Sequence, residues 1–386
     1  MTSKKIHKEF LLLWLVISLS LFLVFWIINN SVSLHSSEKN KNETVKNATT
    51  VVETEKIHTT KLYVWWDIML SRGGGYYNRK NNWTMMFSWT AYNPIHEWCQ
   101  DDCFLVFNLE SLFSKIPNDS PDTTLHFAAN TRNIAILERM KGNNDLYLSL
   151  ANNHATNVGK DGVMFTRSFL EQENILYGGA GEDRISNWYN ITVINRDTIR
   201  ICLSSYSYDG ATLGQGKNTY TIEKLEIWRI RRDVKVMNDR ECDVKVANLH
   251  RGQEYRIAPT TAQRTLAREI IDSGIDLILW NHSHVPGLIE SYHGSYIVYS
   301  MGNHIFDQDR WYKICEKGTF DVIYDYDLDR CTVPTYVGMN LGFVILKENN
   351  NTLIQLRHVG FFGIKQGIQY PLDSQTKQDL NNILLD

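Results

Sequence analysis

The sequence predicts an α/β protein preceded by one membrane-spanning helix. Three observations predict it. Short apolar runs each stop abruptly at Asp, Asn, Glu or His, helical periodicity separates several of those runs, and one long uncharged apolar segment stands near the start.

That segment runs from Phe10 to Ile28, FLLLWLVISLSLFLVFWII, without a charge. Nineteen helical residues span roughly 28 Å, enough for a hydrocarbon core of about 30 Å. The stub before it carries Lys4, Lys5 and Lys8 against Glu9, a net of +2. Basic residues favour the cytoplasmic side, so the expected topology is single-pass, with the N-terminus inside and the body extracytoplasmic. The competing reading is a cleaved signal peptide, whose apolar region is shorter and ends in small residues. Bulky Trp26, Ile27 and Ile28 followed by Asn29 and Asn30 fit an uncleaved signal anchor better.

Residues 29–60 are rich in Ser, Thr, Asn, Lys and Glu and read as a solvated linker. They hold the glycosylation triplets at Asn42 and Asn47, and two more follow at Asn82 and Asn190. Such triplets matter only in a host that glycosylates. All six cysteines lie beyond the apolar segment. An even number in an oxidising compartment suggests disulfides, with Cys99–Cys103 and Cys315–Cys331 as the local candidates. A zinc site would need tighter pairing than this spacing shows.

From residue 61 the pattern is strand-like. LYVWW (62–66) stops at Asp67, FLVF (104–107) at Asn108-Leu109-Glu110, and LYLSLA (146–151) at Asn152-Asn153-His154. VKVANL (244–249) stops at His250-Arg251-Gly252-Gln253-Glu254, and DLILW (276–280) at Asn281-His282-Ser283-His284. Runs of this length, rich in branched and aromatic residues, read as buried strands. Helical spacing appears in Gly162–Leu170 and in Pro259–Ile271, where Ala262, Leu266, Ala267, Ile270 and Ile271 share a face. Alternation of strand and helix implies a sheet with helices outside. The last stretch, from about Thr319, is richer in strand-like runs: FDVIYDY, GFVILKE and TLIQLRHVGFF.

Composition sets the limits. The chain has 386 residues, 43% hydrophobic and 12% aromatic, ample for a packed core and against disorder over most of its length. A net charge of -3 argues against a nucleic-acid partner, and a mean hydropathy of -0.31 excludes a polytopic membrane protein.

In open α/β sheets ligands bind beyond the carboxyl ends of the strands. Five strands deliver Asp, Asn, Glu or His there, residue types that suit a divalent metal such as Mn, Zn or Fe. A lone His at a strand end is ordinarily structural; five such clusters in order are not ordinary. Two ions held there would activate water and hold a transferring phosphoryl group.

At these residues the chain resembles the bacterial capsule-synthesis family of CapA and PgsA, a branch of the calcineurin-like metallophosphoesterase superfamily. The blocks that carry the resemblance are Asp67-Ile68-Met69-Leu70 with Arg72, Asn108-Leu109-Glu110, and Ala151-Asn152-Asn153-His154-Ala155 with Gly159 and Gly162. His250 through Tyr255 follow, then Pro259, Gln263 and Ala267, His282-Ser283-His284-Val285, Tyr299 through Asn303, and Phe306-Asp307-Gln308.

The resemblance implies a four-layer α/β/β/α sandwich over 61–315, with 316–386 as a β-rich part of the same domain. It implies a cradle for divalent metal from Asp67, Glu110, Asn153, His250, His282 and His284. It also implies catalytic roles for His154, Glu254 and Arg72, and substrate contacts from Asn108, Arg251 and Asn303. The expected function is synthesis or export of an anionic capsule polymer such as poly-γ-glutamate, beside membrane-embedded synthase subunits. The alternatives are an extracytoplasmic metal-dependent phosphoesterase, a hydrolase acting on a phosphoester, and a non-catalytic scaffold of the same fold. The chain departs from the family pattern at Trp66, Asn157, Trp280-Asn281, Ser283 and His304, and Met69 stands where active phosphoesterases carry the His of D-x-H.

Overall fold

Period-two alternation along the strands sorts the buried side chains into three apolar layers. The computed structural model describes residues 57–65, 67–72, 94–100, 102–118, 125–182, 190–214, 219–306, 337–365, 368–372 and 374–384, all within the compact unit Glu55–Asp386. The apolar segment 10–28 lies outside the described residues, among which no helix is long and apolar enough to cross a membrane.

The chain runs β1 (His58–Val64), α1 (Pro94–Cys99), β2 (Phe104–Asn108), α2 (Ile134–Lys141), β3 (Asp145–Ser149), α3 (Gly159–Gln172), β4 (Leu176–Gly178) and β5 (Ala180–Glu182). Next come β6 (Thr192–Arg196), β7 (Ile199–Ser207), β8 (Thr212–Leu213), β9 (Tyr220–Ile222), α4 (Ile227–Asp239), β10 (Val244–His250) and α5 (Thr261–Asp272). The remainder is β11 (Leu277–Asn281), β12 (Ile289–Tyr292), β13 (Ser295–Val298), β14 (Val337–Glu348), β15 (Asn351–Lys365), β16 (Ile368–Pro371) and α6 (Ser374–Leu384).

One sheet has the order β16-β15-β14-β1-β2-β3-β4 and another β12-β13-β11-β10-β7-β6; β5, β9 and β8 form a small third. Strands β1 to β4 are parallel, as are β7, β10, β11 and β13. Leu62, Val64, Phe104 and Val106 pack against Ile201, Leu203, Val244, Val246, Leu277 and Leu279, so the two large sheets face each other. The alternate residues Tyr63, Leu105 and Phe107 meet Ile136, Leu137 and Met140 of α2 and Val163 and Leu170 of α3. Cys202, Ala247, Leu249, Ile278 and Trp280 meet Ile230, Val234 and Met237 of α4 and Ala267, Ile270 and Ile271 of α5. Each sheet is therefore covered by helix on its outer side.

The five expected strands are β1, β2, β3, β10 and β11, and the two expected helices are α3 and α5. The latter opens on a capping box, Thr260 with Gln263, which satisfies two amides of its first turn. His58, Thr59 and Thr60, read as linker, are already paired with β14 in register His58↔Lys347. GFVILKE and TLIQLRHVGFF lie in β14 and β15, whereas FDVIYDY lies outside the described residues. Cys99–Cys103 is a disulfide, and Cys202, which had no assigned partner, is bonded to Cys242. Cys315 and Cys331 lie outside the described residues.

Candidate metal centre

The parallel strands place their carboxyl ends on one rim, and short backbone bridges stitch the segments that follow them. Ile68 N–H donates to Asn108 C=O and Glu110 N–H to Ile68 C=O, each at 2.9 Å, which sets Asp67 beside Asn108 and Glu110. The 303–305 loop joins from the other side, with His304 N–H 3.1 Å from Asp67 C=O and Met69 N–H 2.8 Å from Ile305 C=O. In the second sheet, the register His250↔Asn281 puts the end of β10 against the end of β11.

The side chains of the rim meet in a buried cluster. His284 stands between two carboxyls, Nδ1 3.4 Å from Asp67 Oδ2 and Nε2 3.7 Å from Glu110 Oε1. His250 Nε2 lies 3.9 Å from Glu110 Oε1, 2.8 Å from Asn153 Oδ1 and 3.1 Å from His282 Nδ1. His250 Nδ1 is bonded to Asn281 Oδ1. A neutral imidazole has a single N–H, so His250 can donate to the amide oxygen of Asn281 or to that of Asn153, but not to both.

Electrostatics favour a cation here. Burial pushes the Asp67 carboxyl up to about 7, against hydrogen bonds led by that from Asn108. Burial, and then the nearby charges of Asp67 and Glu254, hold Glu110 well above the usual carboxylate range. Burial also lowers His282 and His284 to about 4, and holds His250 well below its ordinary value. The three imidazoles are thus neutral at pH 7, as ligands must be. Both Glu110 oxygens and Asp67 Oδ2 are buried and make no hydrogen bond. Buried polar atoms are ordinarily satisfied. Orphaned carboxylate oxygens facing imidazole lone pairs fit a divalent ion of the Mn, Zn or Fe type. Two triads have ligand atoms mutually within 4.8 Å: Asp67, Glu110 and His284, and Glu254, His282 and His284.

The remaining expected residues divide. Asn108 and Asn303, expected to contact substrate, are hydrogen-bonded to Asp67 and His284. Asn108 Nδ2 donates to Asp67 Oδ1 at 2.8 Å, and Asn303 Oδ1 lies 2.9 Å from His284 Nδ1, both amides being fully buried. Each amide braces one side chain of the cluster, a role to which asparagine is suited because it offers both donor and acceptor. Arg72 is buried, its guanidinium 4.8 Å above the Phe127 ring, and its charge acts to lower Glu110. His154 stacks on Phe127 at 3.8 Å, with Nδ1 3.0 Å from Asn157 Oδ1, and burial lowers its pKa. Arg251 is exposed at a cavity of about 320 Å³, also lined by Tyr208, Gln253 and Gln263. The Tyr208 ring stands 5.1 Å from that of His282, so this cavity adjoins the centre.

Three contributors went unread in the sequence. Asn152 donates to Leu109 C=O at 2.8 Å and to Asn108 Oδ1 at 3.3 Å; nothing in Asn-Asn-His says which Asn turns inward. Asn281 holds His250, and its signal was its position just before His282. Tyr208 follows β7, a strand whose buried run IRICLSSYS ends in no acidic or imidazole cluster. His304 is explained by packing. Its buried, neutral ring stacks on Trp65 at 3.9 Å and on Phe107 at 6.0 Å, as an aromatic side chain would. Met69 Sδ accepts from Ser71 Oγ at 3.3 Å.

Comparison with known proteins places these residues in context. Residues 61–308 match the family model described as bacterial capsule synthesis protein PGA_cap. The chain is 31% identical over 192 residues to the PGA biosynthesis protein CapA of Bacillus subtilis, covering 48% of each chain. It is 27% identical over 191 residues to the capsule biosynthesis protein CapA of Bacillus anthracis, covering 48% of this chain and 46% of that one. A probable polyglutamine synthesis accessory protein of Mycobacterium tuberculosis is 27% identical over 172 residues, 42% of this chain and 45% of its own. The chain spans about half the length of these relatives. Among solved structures, a phosphatase from Mycoplasma pneumoniae is similar at a TM-score of 0.44 and 14% identity, covering 85% of this chain and 100% of that one. A calcineurin-like phosphoesterase of Bacillus subtilis is similar at a TM-score of 0.40 and 12% identity, covering 85% and 97%.

Proposed function

Because the chain belongs to the bacterial capsule synthesis protein PGA_cap family, we propose that it serves in the synthesis or export of an anionic capsule polymer such as poly-γ-glutamate. In this reading residues 10–28 anchor it in a membrane, and the folded part, a four-layer α/β/β/α sandwich, works outside beside membrane-embedded synthase subunits. The family match to 61–308 carries the reading.

A divalent ion held by Asp67, Glu110, Asn153, His250, His282 and His284 would supply Lewis-acid polarisation of a substrate oxygen. Asn108 and Asn303 hold Asp67 and His284 in register, and Asn281 holds His250. His154, fixed on Phe127 by Asn157, moves a proton at the mouth of the site. The chain beyond the stub carries a net charge of -5, which repels a polyanion in general. Arg251 at the cavity beside Tyr208 and His282 therefore supplies local attraction, with Arg72 as buried counter-charge.

Deleting the gene in its host and measuring surface polymer tests this reading. The expected result is loss of polymer, restored by the parent chain and not by His282→Ala. Unchanged polymer in the deletion strain overturns it. The cluster of carboxylates and imidazoles also favours a second reading, a metal-dependent phosphoesterase. Turnover of aryl phosphoesters by the purified chain with Mn, Zn or Fe, abolished by His282→Ala, is its signature.

A further inference from the structure

We infer that Glu254 is itself a ligand of the centre, joining His282 and His284 beside the carboxyls of Asp67 and Glu110; this rests on the metal-holding reading above. Among the described residues these are the two groups whose ligand atoms converge, and they share His284. Ligands on one ion at about 2.0–2.2 Å stand up to roughly 4.4 Å apart. Three ligands spaced evenly about one ion stand at most about 3.8 Å apart, so atoms mutually within 4.8 Å reach it after shifts of up to about 1 Å. Glu254 is half-buried while both histidines are buried, so its side chain has the room to close the difference. Without Glu254 this group offers two neutral imidazoles and no charge of its own to offset a divalent ion.

The backbone is built to aim these three side chains. His282 at φ 98°, His284 at φ 58° and Tyr255 at φ 62° all occupy the left-handed region, each at a cost of order 1–3 kcal/mol. Tyr255 N–H donates to Ser283 C=O at 2.6 Å, tying the Glu254 loop directly to the loop between the two histidines. Gly252, at φ 138°, opens the turn, and a Cβ there would sit 2.5 Å from Gln263 Nε2. Trp280 Nε1–H donates to Arg251 C=O and pins the same loop from below. A carboxylate that acted only as a remote base would need none of this convergence with both imidazoles. After Asp67, meanwhile, the first sheet offers no further ligand at Met69, whose sulfur is turned to Ser71.

The test loads the full-length chain with Co²⁺ and reads metal stoichiometry together with the visible d–d spectrum. Glu254→Gln is expected to weaken cobalt binding at least tenfold or remove one equivalent, and to change the spectrum. Glu254→Asp is expected to restore part of both, and near-UV circular dichroism checks that each variant is folded. If Glu254→Gln keeps the parent's stoichiometry, affinity and spectrum while Asp67→Asn loses cobalt, Glu254 is no ligand and only this inference falls. If Asp67→Asn also keeps its cobalt, the metal reading falls with it.

Discussion

Glu110 Oε1 lies 3.7 Å from His284 Nε2, both side chains are buried, and neither Glu110 oxygen makes a hydrogen bond. These two residues come from different sheets, Glu110 after β2 and His284 after β11. Their meeting ties the centre to the closure of the two sheets, so an ion bound there would stabilise the folded state alone.

Metal should therefore stabilise by mass action. An ion present at about 100 times its dissociation constant adds about 2.7 kcal/mol when only the native state binds it. Thermal melts of the purified chain are expected to rise by several degrees on adding Mn²⁺ and to fall again with EDTA. Glu110→Gln should abolish the rise.

Without metal, stability should depend on pH through two opposed sets of groups. Asp67, raised from 3.8 to about 7 by burial, contributes stability present below pH 4 that is lost as pH climbs through about 7. His282 and His284, lowered by burial from 6.5 to about 4, contribute stability present above pH 6.5 that is lost as pH falls through about 4. Asp67→Asn removes one member of the first set, which also includes Glu110. It should stabilise the metal-free protein relative to the parent at pH 8, and by much less at pH 4.5. Urea melts at the two pH values measure this; an equal effect at both would count against a raised Asp67.

The Cys202–Cys242 bond closes a loop of 40 residues from β7 to the end of α4. Loop entropy assigns it about 3–4 kcal/mol, more than the four-residue Cys99–Cys103 link. Cys202→Ser with Cys242→Ser should lower the urea midpoint markedly, and Cys99→Ala with Cys103→Ala should lower it less.

Asn190 matches a glycosylation triplet, yet its amide is fully buried. Nδ2 donates to Asp233 Oδ2 at 2.8 Å and Oδ1 accepts from Ser205 N–H at 3.1 Å. Expressed in a glycosylating host, the folded protein should carry no glycan there, so peptide mapping after deglycosylation should find Asn190 unmodified. Asn190→Ala should cost about 1–3 kcal/mol, because it strands the Ser205 amide and leaves Asp233 Oδ2 with the Tyr206 hydroxyl but without the Asn190 donor.

Much of this was legible in the chain. Five apolar runs stopping at Asp67, Asn108, Asn152, His250 and Asn281 marked five strand ends, because parallel strands buried on both faces need continuous apolar residues and shed them at the rim. α5 was legible through Ala267, Ile270 and Ile271 on one face. β7 was not, because its run ends in Ser207 and Tyr208 rather than in a metal-ligating cluster. α4 was missed as well: Arg229, Arg231 and Arg232 sit among its apolar positions and pair with buried Glu223 and with Glu226 and Glu269.

The sequence by itself determined which residue types arrive at the rim and on which elements, since alternation and helical spacing are local properties of the chain. Only the tertiary structure decided which of them face a ligand and which stand behind one. Asn108 and Asn303 looked as available as Asn153, yet they are spent on Asp67 and His284. Side chains beyond a strand end follow the backbone torsions of loops, and those torsions, left-handed at His282, His284 and Tyr255, are imposed by hydrogen bonds to distant segments such as Tyr255 to Ser283.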